Sequence, residues 1–234
     1  MTLSIVVPTY NERENVSALI RETLAHVPEA ELIVVDDESP DGTAQIVRDE
    51  WGRDSRVRLI VRVGRRGLPS ALAEGVAAAG GDIVSWMDCD FNMPPALLLD
   101  LVAALAHADI AVASRYMPGG ADNRASRLRV LMSRVINLIA GVLLGHAVRD
   151  YTSGLLVTRR EVLVQTPLRS DYRHGEYCID FLYRAHRAGF RIREIAYTCL
   201  ERRAGQTKTA PTLAGFIVLG VAYLAAIVRL RLRE

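Results

Sequence analysis

Two carboxylates separated by one residue follow a short apolar segment in the middle of the chain. The segment, residues 83–87, comes after a Gly-Gly pair and leads into Asp88 and Asp90. In extended backbone, side chains at positions i and i+2 point the same way. Neighbouring carboxylates are the hard oxygen ligands that Mg²⁺ and Mn²⁺ prefer, and Asn92 could add a third oxygen. The spacing predicts a divalent-cation site, with a solvated, helix-capping turn as the alternative.

The elements that must position these carboxylates form a regular alternation of strands and helices. Apolar, β-branched segments predict strands at residues 3–7, 32–35, 57–63, 83–87, 110–114, 155–158 and 190–200. Amphipathic segments between them predict helices, which is typical of an α/β fold with a mostly parallel sheet flanked by helices. Right-handed crossovers bring the carboxyl ends of parallel strands to one edge, where open sheets bind ligands.

Four polar loops should meet at this edge. They are residues 8–12, 36–43, 88–92 and 114–116. Each loop alone has a simpler explanation, because Asp-Gly turns and Ser or Thr helix caps are common. Their convergence argues for a ligand. The chain contains no Gly-x-Gly-x-x-Gly and no Gly-Lys-Ser/Thr segment, which disfavours a dinucleotide site and a P-loop.

Composition restricts the partners. The 234 residues carry a formal net charge of +2, and only 6% of them are aromatic. With so little excess charge and so few rings for base stacking, we expect no nucleic-acid partner. Three cysteines without zinc spacing predict free thiols and a reducing compartment.

Six segments carry a second line of evidence. They are Val-Val-Pro-Thr-Tyr-Asn-Glu-Arg-Glu-Asn (6–15), Val-Asp-Asp-Glu-Ser-Pro-Asp-Gly-Thr (35–43), Asp-Cys-Asp-Phe-Asn-Met-Pro-Pro (88–95), Ser-Arg-Tyr (114–116), Asp-Tyr-Thr-Ser-Gly (150–154) and Arg-x-x-Gly-x-Thr-Lys (202–208). Together they resemble the family-2 inverting glycosyltransferases, most closely the dolichol- or polyprenol-phosphate mannose synthases. The resemblance covers about residues 3–208 and implies a GT-A type, Rossmann-like fold that binds a nucleotide-sugar donor.

The resemblance also implies donor-binding residues. The nucleoside would lie against Pro8, Tyr10, Glu12, Val35 and Asp37. This is chemically reasonable, because a carboxylate such as Asp37 accepts base N–H groups and a ring such as Tyr10 offers a flat apolar face.

The diphosphate would lie on a Mg²⁺ or Mn²⁺ ion held by Asp88 and Asp90, with Cys89 in the same donor site. Asn92 is the third implied metal ligand, although the synthases usually have Gln there, which is one methylene longer. Ser153 would approach the donor through its backbone, next to a glycine.

The acceptor side is implied for the second half of the chain. Four arginines at residues 124–134 precede an almost wholly apolar stretch, residues 135–144. Basic residues leading into an apolar helix suit a membrane surface with anionic headgroups, and a core helix with a solvated basic end explains them equally well. The resemblance favours the membrane surface and places Arg129 and Ser133 on the phosphate of a polyprenyl lipid.

The implied reaction is inverting transfer of mannose from GDP-mannose to polyprenyl phosphate. The implied catalytic residues are those that neutralise the departing diphosphate, either through the ion or directly: Asp90, Arg115, Arg202 and Lys208. Asp150 is not expected to act as a general base, because a phosphate monoester is already an anion at neutral pH.

Three alternatives stay open. A polyprenol-phosphate glucosyltransferase using UDP-glucose shares the chemistry, since the residues do not identify the hexose or the base. A non-catalytic nucleotide-sugar-binding or scaffold domain is opposed by the intact carboxylates and cations of the six segments. A processive polysaccharide synthase is opposed by the lack of a Gln-x-x-Arg-Trp segment and of several membrane spans.

The C-terminal segment differs from the rest of the chain. Residues 209–228 contain no charge, which just permits one crossing, since a span needs about 20 apolar residues. Basic residues on both sides oppose a simple crossing. We predict a GT-A catalytic domain at residues 1–208, and a hydrophobic membrane-associated helix with a basic tail at residues 209–234 that holds the domain at the cytoplasmic face. A buried C-terminal helix, in this domain or in a dimer, is the alternative; the oligomeric state is not predicted.

Overall fold

A seven-stranded sheet forms the centre of the molecule, in a computed structural model that describes residues 1–205 and 213–232. From edge to edge its strands are Val57–Val61 (β3), Glu31–Asp36 (β2), Leu3–Thr9 (β1), Ile83–Trp86 (β4), Leu156–Arg159 (β7), Ile110–Ser114 (β5) and Ile192–Ala196 (β8). A separate two-stranded ribbon pairs Ala121–Asp122 (β6) with Thr198–Cys199 (β9).

Helices cover both faces of the sheet. They are Val16–His26 (α1), Thr43–Trp51 (α2), Leu68–Ala78 (α3), Leu97–Ala104 (α4), Arg127–Leu144 (α5), Arg160–Gln165 (α6), Glu176–Arg187 (α7) and Leu213–Leu232 (α8). Because side chains alternate along a strand, Ile5 and Val7 join one apolar cluster while Val6 joins the cluster on the opposite face. A β-carbon at Gly75 of α3 would overlap Val6, so glycine there allows the helix to approach the sheet closely.

The prediction of a mostly parallel sheet is confirmed, with one strand as the exception. The pairs β1–β2, β2–β3, β1–β4 and β5–β8 are parallel, whereas β7 is antiparallel to both β4 and β5. The expectation that carboxyl ends gather at one edge is therefore wrong for β7, whose amino end lies there instead. As a result, the loop before β7, residues 150–154, reaches the edge where the other strands end.

The C-terminal helix packs on the rest of the molecule. α8 lies against α5 and α7 and buries one face. The buried side chains are Leu219, Ala226, Ile227 and Leu230. A β-carbon at Gly175, just before α7, would collide with the Tyr223 hydroxyl of α8. Within the described part of the chain, Ala214–Leu232 is the one helix long and apolar enough to cross a membrane by length and composition.

Candidate active site

A cleft of about 750 Å³ opens at the edge of the sheet where the predicted loops meet. Loops after β1, β2 and β4 form one wall, and α5 and α8 form the other. Most of the predicted site residues line it: Pro8, Tyr10, Glu12, Asp37, Asp88, Cys89, Asp90, Asn92, Arg115, Arg129, Ser133, Ser153 and Arg202. Lys208 lies outside the described residues.

Val35 does not line the cleft, although its predicted place is in the nucleoside pocket. Its side chain is fully buried in the core, in the same cluster as Val6 and Ala71. It lies two residues before Asp37, on the same face of β2, where α3 covers it. The Val35 side chain is therefore not open to the cleft, and the place of this residue beside the nucleoside stays a prediction.

The carboxylates of Asp88 and Asp90 lie at the floor of the cleft, directly after β4. Burial, and then the neighbouring charge of Asp90, raise the pKa of Asp88 to about 7, and burial also raises the pKa of Asp90. Phe91 takes a positive φ of 63°. In the resulting turn, the backbone N–H of Asn92 donates to Asp90 Oδ1 at an N···O distance of 3.1 Å. Two carboxylates whose ionised forms are disfavoured together are well suited to a cation.

The residues present fit a divalent ion. Among residues 1–205 and 213–232, the buried Asn92 Oδ1 has no hydrogen-bond partner. A β-carbon on Gly154 would lie 2.9 Å from Asp88 Oδ2, so glycine keeps the space beside this carboxylate open. The same described residues contain no group of three or more His, Cys, Asp or Glu that could hold a metal. An ion here would take its remaining ligands from substrate and water, as Mg²⁺ commonly does.

Arg202 connects the carboxylate floor to Glu12. Its Nη2 donates to Asp90 Oδ2 at 3.1 Å, and its Nη1 donates to Glu12 Oε1 at 3.1 Å. Asn15, the residue before α1, donates through Nδ2 to Glu12 Oε2 at 2.8 Å and to the Ala204 carbonyl at 3.1 Å. These bonds connect residues 202–204 to the start of α1. Glu12, predicted to contact the nucleoside, is thus a counter-ion of Arg202 in this arrangement.

The predicted nucleoside end contains two arginines that the sequence did not indicate. Arg62 Nε donates to Asp37 Oδ1 at 2.7 Å, and the Gly67 N–H donates to Asp37 Oδ2 at 2.8 Å. The Arg66 guanidinium lies 3.5 Å from the centre of the Tyr10 ring. The flat face expected of Tyr10 is therefore present, and a planar cation stacks on it. Neither arginine could be predicted, because the partners of both are distant in sequence.

Arg115 forms a buried, bidentate pair with Asp150. Its Nε donates to Asp150 Oδ2 at 2.8 Å, its Nη2 to Oδ1 at 2.7 Å, and its backbone N–H to Oδ2 at 3.0 Å. Asp150 is fully buried. This agrees with the expectation that Asp150 is not a general base. It also means that the charge of Arg115, predicted to act on the diphosphate, is compensated within the protein.

Arg129 and Ser133 lie one helical turn apart on α5 and face the cleft. The helix begins at Arg127, earlier than the apolar stretch suggested, with Ser126 Oγ accepting from the Arg129 N–H at 3.4 Å. The Arg129 guanidinium lies 4.7 Å from the centre of the Phe216 ring of α8. Largely apolar side chains continue the wall at this end: Met132, Ile136, Phe216, Leu219 and Tyr223.

Sequence comparisons find relatives along most of the chain. Residues 4–166 match the family model described as glycosyl transferase family 2. The chain is 35% identical over 211 residues to the polyprenol monophosphomannose synthase of Mycolicibacterium smegmatis, covering 87% of this chain and 79% of that protein. It is 31% identical over 225 residues to the undecaprenyl-phosphate mannosyltransferase of Micrococcus luteus, covering 94% and 93%.

A solved structure with the same fold is more distant in sequence. The crystal structure of glucosyl-3-phosphoglycerate synthase from Mycobacterium tuberculosis, in complex with Mn²⁺, UDP and glucosyl-3-phosphoglycerate, superposes with a TM-score of 0.71 at 24% identity. The match covers 97% of this chain and 79% of that one. At this identity the likeness establishes the GT-A architecture alone.

Proposed function

The chain belongs to glycosyltransferase family 2, and from this premise we propose that it transfers mannose from GDP-mannose to the phosphate of a polyprenyl lipid, with inversion at the anomeric carbon. One observation carries the proposal: a single cleft has a floor of metal-type carboxylates and a cationic end with apolar walls. The two relatives described above are named as a polyprenol monophosphomannose synthase and an undecaprenyl-phosphate mannosyltransferase, which supports the same acceptor here.

The carboxylate end suits the donor. Asp88 and Asp90, with Asn92, would hold Mg²⁺ or Mn²⁺, which when bound offsets the charge on the departing diphosphate. Arg202 already contacts Asp90, so its guanidinium is close enough to pair with the diphosphate as well. Lys208 remains a proposed second cation for the same group.

The cationic end suits the acceptor. Arg129 and Ser133 would bind the lipid phosphate, and the apolar wall beyond them would accommodate the first part of the chain. An acceptor phosphate oxygen attacks the anomeric carbon from the face opposite the diphosphate. The bond from that carbon to the diphosphate oxygen breaks, and its electron pair leaves with the nucleotide. No proton has to be removed, in keeping with the pairing of Asp150 to Arg115. Much of the rate would come from holding the two ligands in line.

A panel of sugar nucleotides tests the donor. Purified protein is incubated with polyprenyl phosphate, Mn²⁺ and either GDP-mannose, GDP-glucose or UDP-glucose, and the lipid-linked sugar is extracted and quantified. The highest kcat/KM with GDP-mannose supports the proposal. A preference for UDP-glucose would contradict the choice of mannose and keep the acceptor, whereas no lipid product from any donor would contradict the function.

We propose further that the cleft opens at the cytoplasmic surface of a membrane. Exposed apolar side chains recur every three or four residues along α5, and α8 beside it carries more of them: Leu128, Leu131, Val135, Leu138 and Val142 on α5, and Ile217, Val218, Val221, Leu224 and Val228 on α8. Both helices also carry exposed arginines, which suit the anionic headgroups of the cytoplasmic leaflet.

The packing of α8 favours an in-plane arrangement over a crossing. Buried contacts occur along the helix, from Leu219 to Leu230, so α8 cannot cross the bilayer while it stays packed on the catalytic domain. We therefore expect α5 and α8 to lie together in the membrane interface. The proposed division at residue 208 then separates two parts that touch extensively.

A further inference from the structure

Asn137 is a buried amide on the side of α5 that faces the protein core. Its exposed fraction is 6%, and the other buried residues of the helix are Ile136, Ala140, Gly141 and Leu144. An amide in apolar surroundings is costly unless its hydrogen bonds are made. The side-chain amide of Asn137 makes its hydrogen bonds both within α5 and to residues outside it.

The hydrogen bonds of Asn137 join α5 to the loop before β7. Its Nδ2 donates to the Ser133 carbonyl and to Thr152 Oγ1, both at 2.8 Å. Its Oδ1 accepts from the Tyr151 backbone N–H at 2.6 Å. A backbone N–H can only donate, which fixes the orientation of the amide. Asn137 therefore holds the middle of α5 against residues 150–154, while the Tyr151 hydroxyl holds its end by donating to the Gly145 carbonyl at 2.9 Å.

The Thr152 hydroxyl extends this connection to the buried ion pair. Thr152 Oγ1 accepts from Arg115 Nη2 at 2.8 Å and lies 3.2 Å from Asp150 Oδ1, to which it can donate. With the N–H of Asn137, these contacts use both lone pairs and the proton of the hydroxyl. Ser133 Oγ lies 3.3 Å away and is not needed to complete the network. The Ser133 hydroxyl therefore remains part of the cleft wall, where the acceptor phosphate is proposed to bind.

Two residues after Thr152 the same loop reaches the donor floor, where Gly154 lies beside Asp88 without a β-carbon. We propose that Asn137 is a positioning residue, which sets the distance between the acceptor phosphate on α5 and the sugar of the donor. The inference rests on the proposed function, since it needs an acceptor bound at Arg129 and Ser133. A small displacement of one reactant is enough to slow an in-line attack strongly.

The test uses variants that remove hydrogen bonds with little change of shape. Asn137→Leu and Thr152→Val break the connection, and Thr152→Ser keeps its hydroxyl. Thr166→Val is the matched control, because it removes a buried hydroxyl that donates to the Val162 carbonyl at 2.7 Å, away from the cleft. Steady-state kinetics are measured with GDP-mannose and a polyprenyl phosphate, together with the Tm of each variant.

We expect the two disrupting variants to lower kcat/KM for the lipid about tenfold or more, with the donor KM within about twofold of the parent. Thr152→Ser should recover most of this loss. The double variant Asn137→Leu/Thr152→Val should be no worse than the poorer single variant, because both break one connection. Thr166→Val should lower Tm and leave the kinetics unchanged.

Three results would overturn the inference. One is a lower Tm with unchanged lipid kinetics, which is the behaviour of the control. Another is a donor KM that rises about tenfold or more, which would show that the donor site itself is disturbed. The third is no recovery in Thr152→Ser. If Asn137→Leu does not fold, the two Thr152 variants decide the question. A parent protein that makes no lipid product contradicts the proposed function and this inference with it. An active parent whose variants behave like the control contradicts the inference alone.

Discussion

The two ends of the cleft differ in charge and in construction. The end proposed for the donor, called the donor end below, is formed by loops that follow strands. It carries the carboxylates Glu12, Asp37, Asp88 and Asp90, with Arg66 and Arg202 beside them. The end proposed for the acceptor, called the acceptor end below, is formed by α5 and α8, and it combines Arg129 with apolar side chains. A diphosphate bound through a cation calls for carboxylates, whereas an anionic head on an apolar chain calls for arginine and apolar walls.

The difference in construction predicts how each end responds to mutation. A side chain at the end of a strand is positioned by the sheet itself, so its loss should act on the ligand it touches. A side chain on α5 is positioned by contacts between distant segments, such as the one from Asn137 to Thr152. Changes at the acceptor end can therefore act through the position of the helix as well as through direct contact.

The largest effect should come from the donor floor. Asp90→Ala removes one of two carboxylates for the ion, and we expect kcat to fall about 10³-fold or more while the fold, followed by circular dichroism, is retained. The exposed Asp49→Ala on α2 is the matched control and should behave like the parent.

Chelation examines the same site without a mutation. EDTA should abolish turnover of the parent, and excess Mn²⁺ or Mg²⁺ should restore it. Activity of Asp90→Ala within about tenfold of the parent, or turnover undiminished by EDTA, would contradict a catalytic metal ion bound by Asp90.

A smaller effect, confined to the donor, is expected for Asp37→Ala. The donor KM should rise about 10- to 100-fold through lost hydrogen bonds to the base, and the lipid KM should stay the same. The variant should also be less stable, by about 3 kcal/mol, because the buried Arg62 loses its hydrogen-bonded carboxylate and keeps only the longer contact to Glu74 at 3.9 Å. Thermal denaturation measures this second effect. A rise in the lipid KM alone would show that the two ends are assigned the wrong way round.

The opposite pattern is expected for Arg129→Ala. The apparent KM for polyprenyl phosphate should rise about tenfold, because a charge-assisted contact is lost, while donor binding is unchanged. Arg134→Ala, an exposed change on the same helix, is the control when the lipid is presented in detergent. Impaired donor binding with normal lipid kinetics would contradict the placement of the acceptor on α5.

Charged substitutions on the exposed face of α5 should have the smallest effect on the kinetics and the largest effect on membrane binding. Leu131→Asp together with Leu138→Asp places charges on the exposed face of α5, which should reduce co-sedimentation with anionic vesicles several-fold. Kinetics with detergent-solubilised lipid should change little. Val164→Asp, at an apolar position on α6 that is more exposed than either leucine, is the control. Unchanged vesicle binding by the double variant would place the membrane contact elsewhere.

The donor end was predictable because its information is local. The spacing of Asp88 and Asp90, and their place after an apolar segment, are enough to predict a pair of carboxylates at a strand end. The strand positions follow in the same way from apolar periodicity, so the parallel part of the sheet was expected.

The direction of β7, the buried ion pairs and the role of Asn137 depend on contacts between residues that are distant in sequence. An apolar strand does not encode the direction in which it pairs, so the antiparallel β7 was not foreseen. The pairing of Arg115 with Asp150, and of Arg62 with Asp37, joins residues from different elements, and nothing in either local segment indicates the partner. For the same reason a buried amide such as Asn137 looks like an ordinary helix residue until its neighbours are known.

The anomeric configuration of the lipid-linked sugar shows whether the acceptor phosphate attacks the donor directly. The protein is incubated with GDP-mannose, in which the sugar is α-linked, and with polyprenyl phosphate and Mn²⁺. The one-bond carbon–hydrogen coupling at the anomeric position of the purified product is then measured by NMR. We expect a β-linked mannosyl phosphate lipid, formed by direct attack of the acceptor phosphate across the cleft. An α-linked product, or sugar released to water with no lipid product, would contradict it.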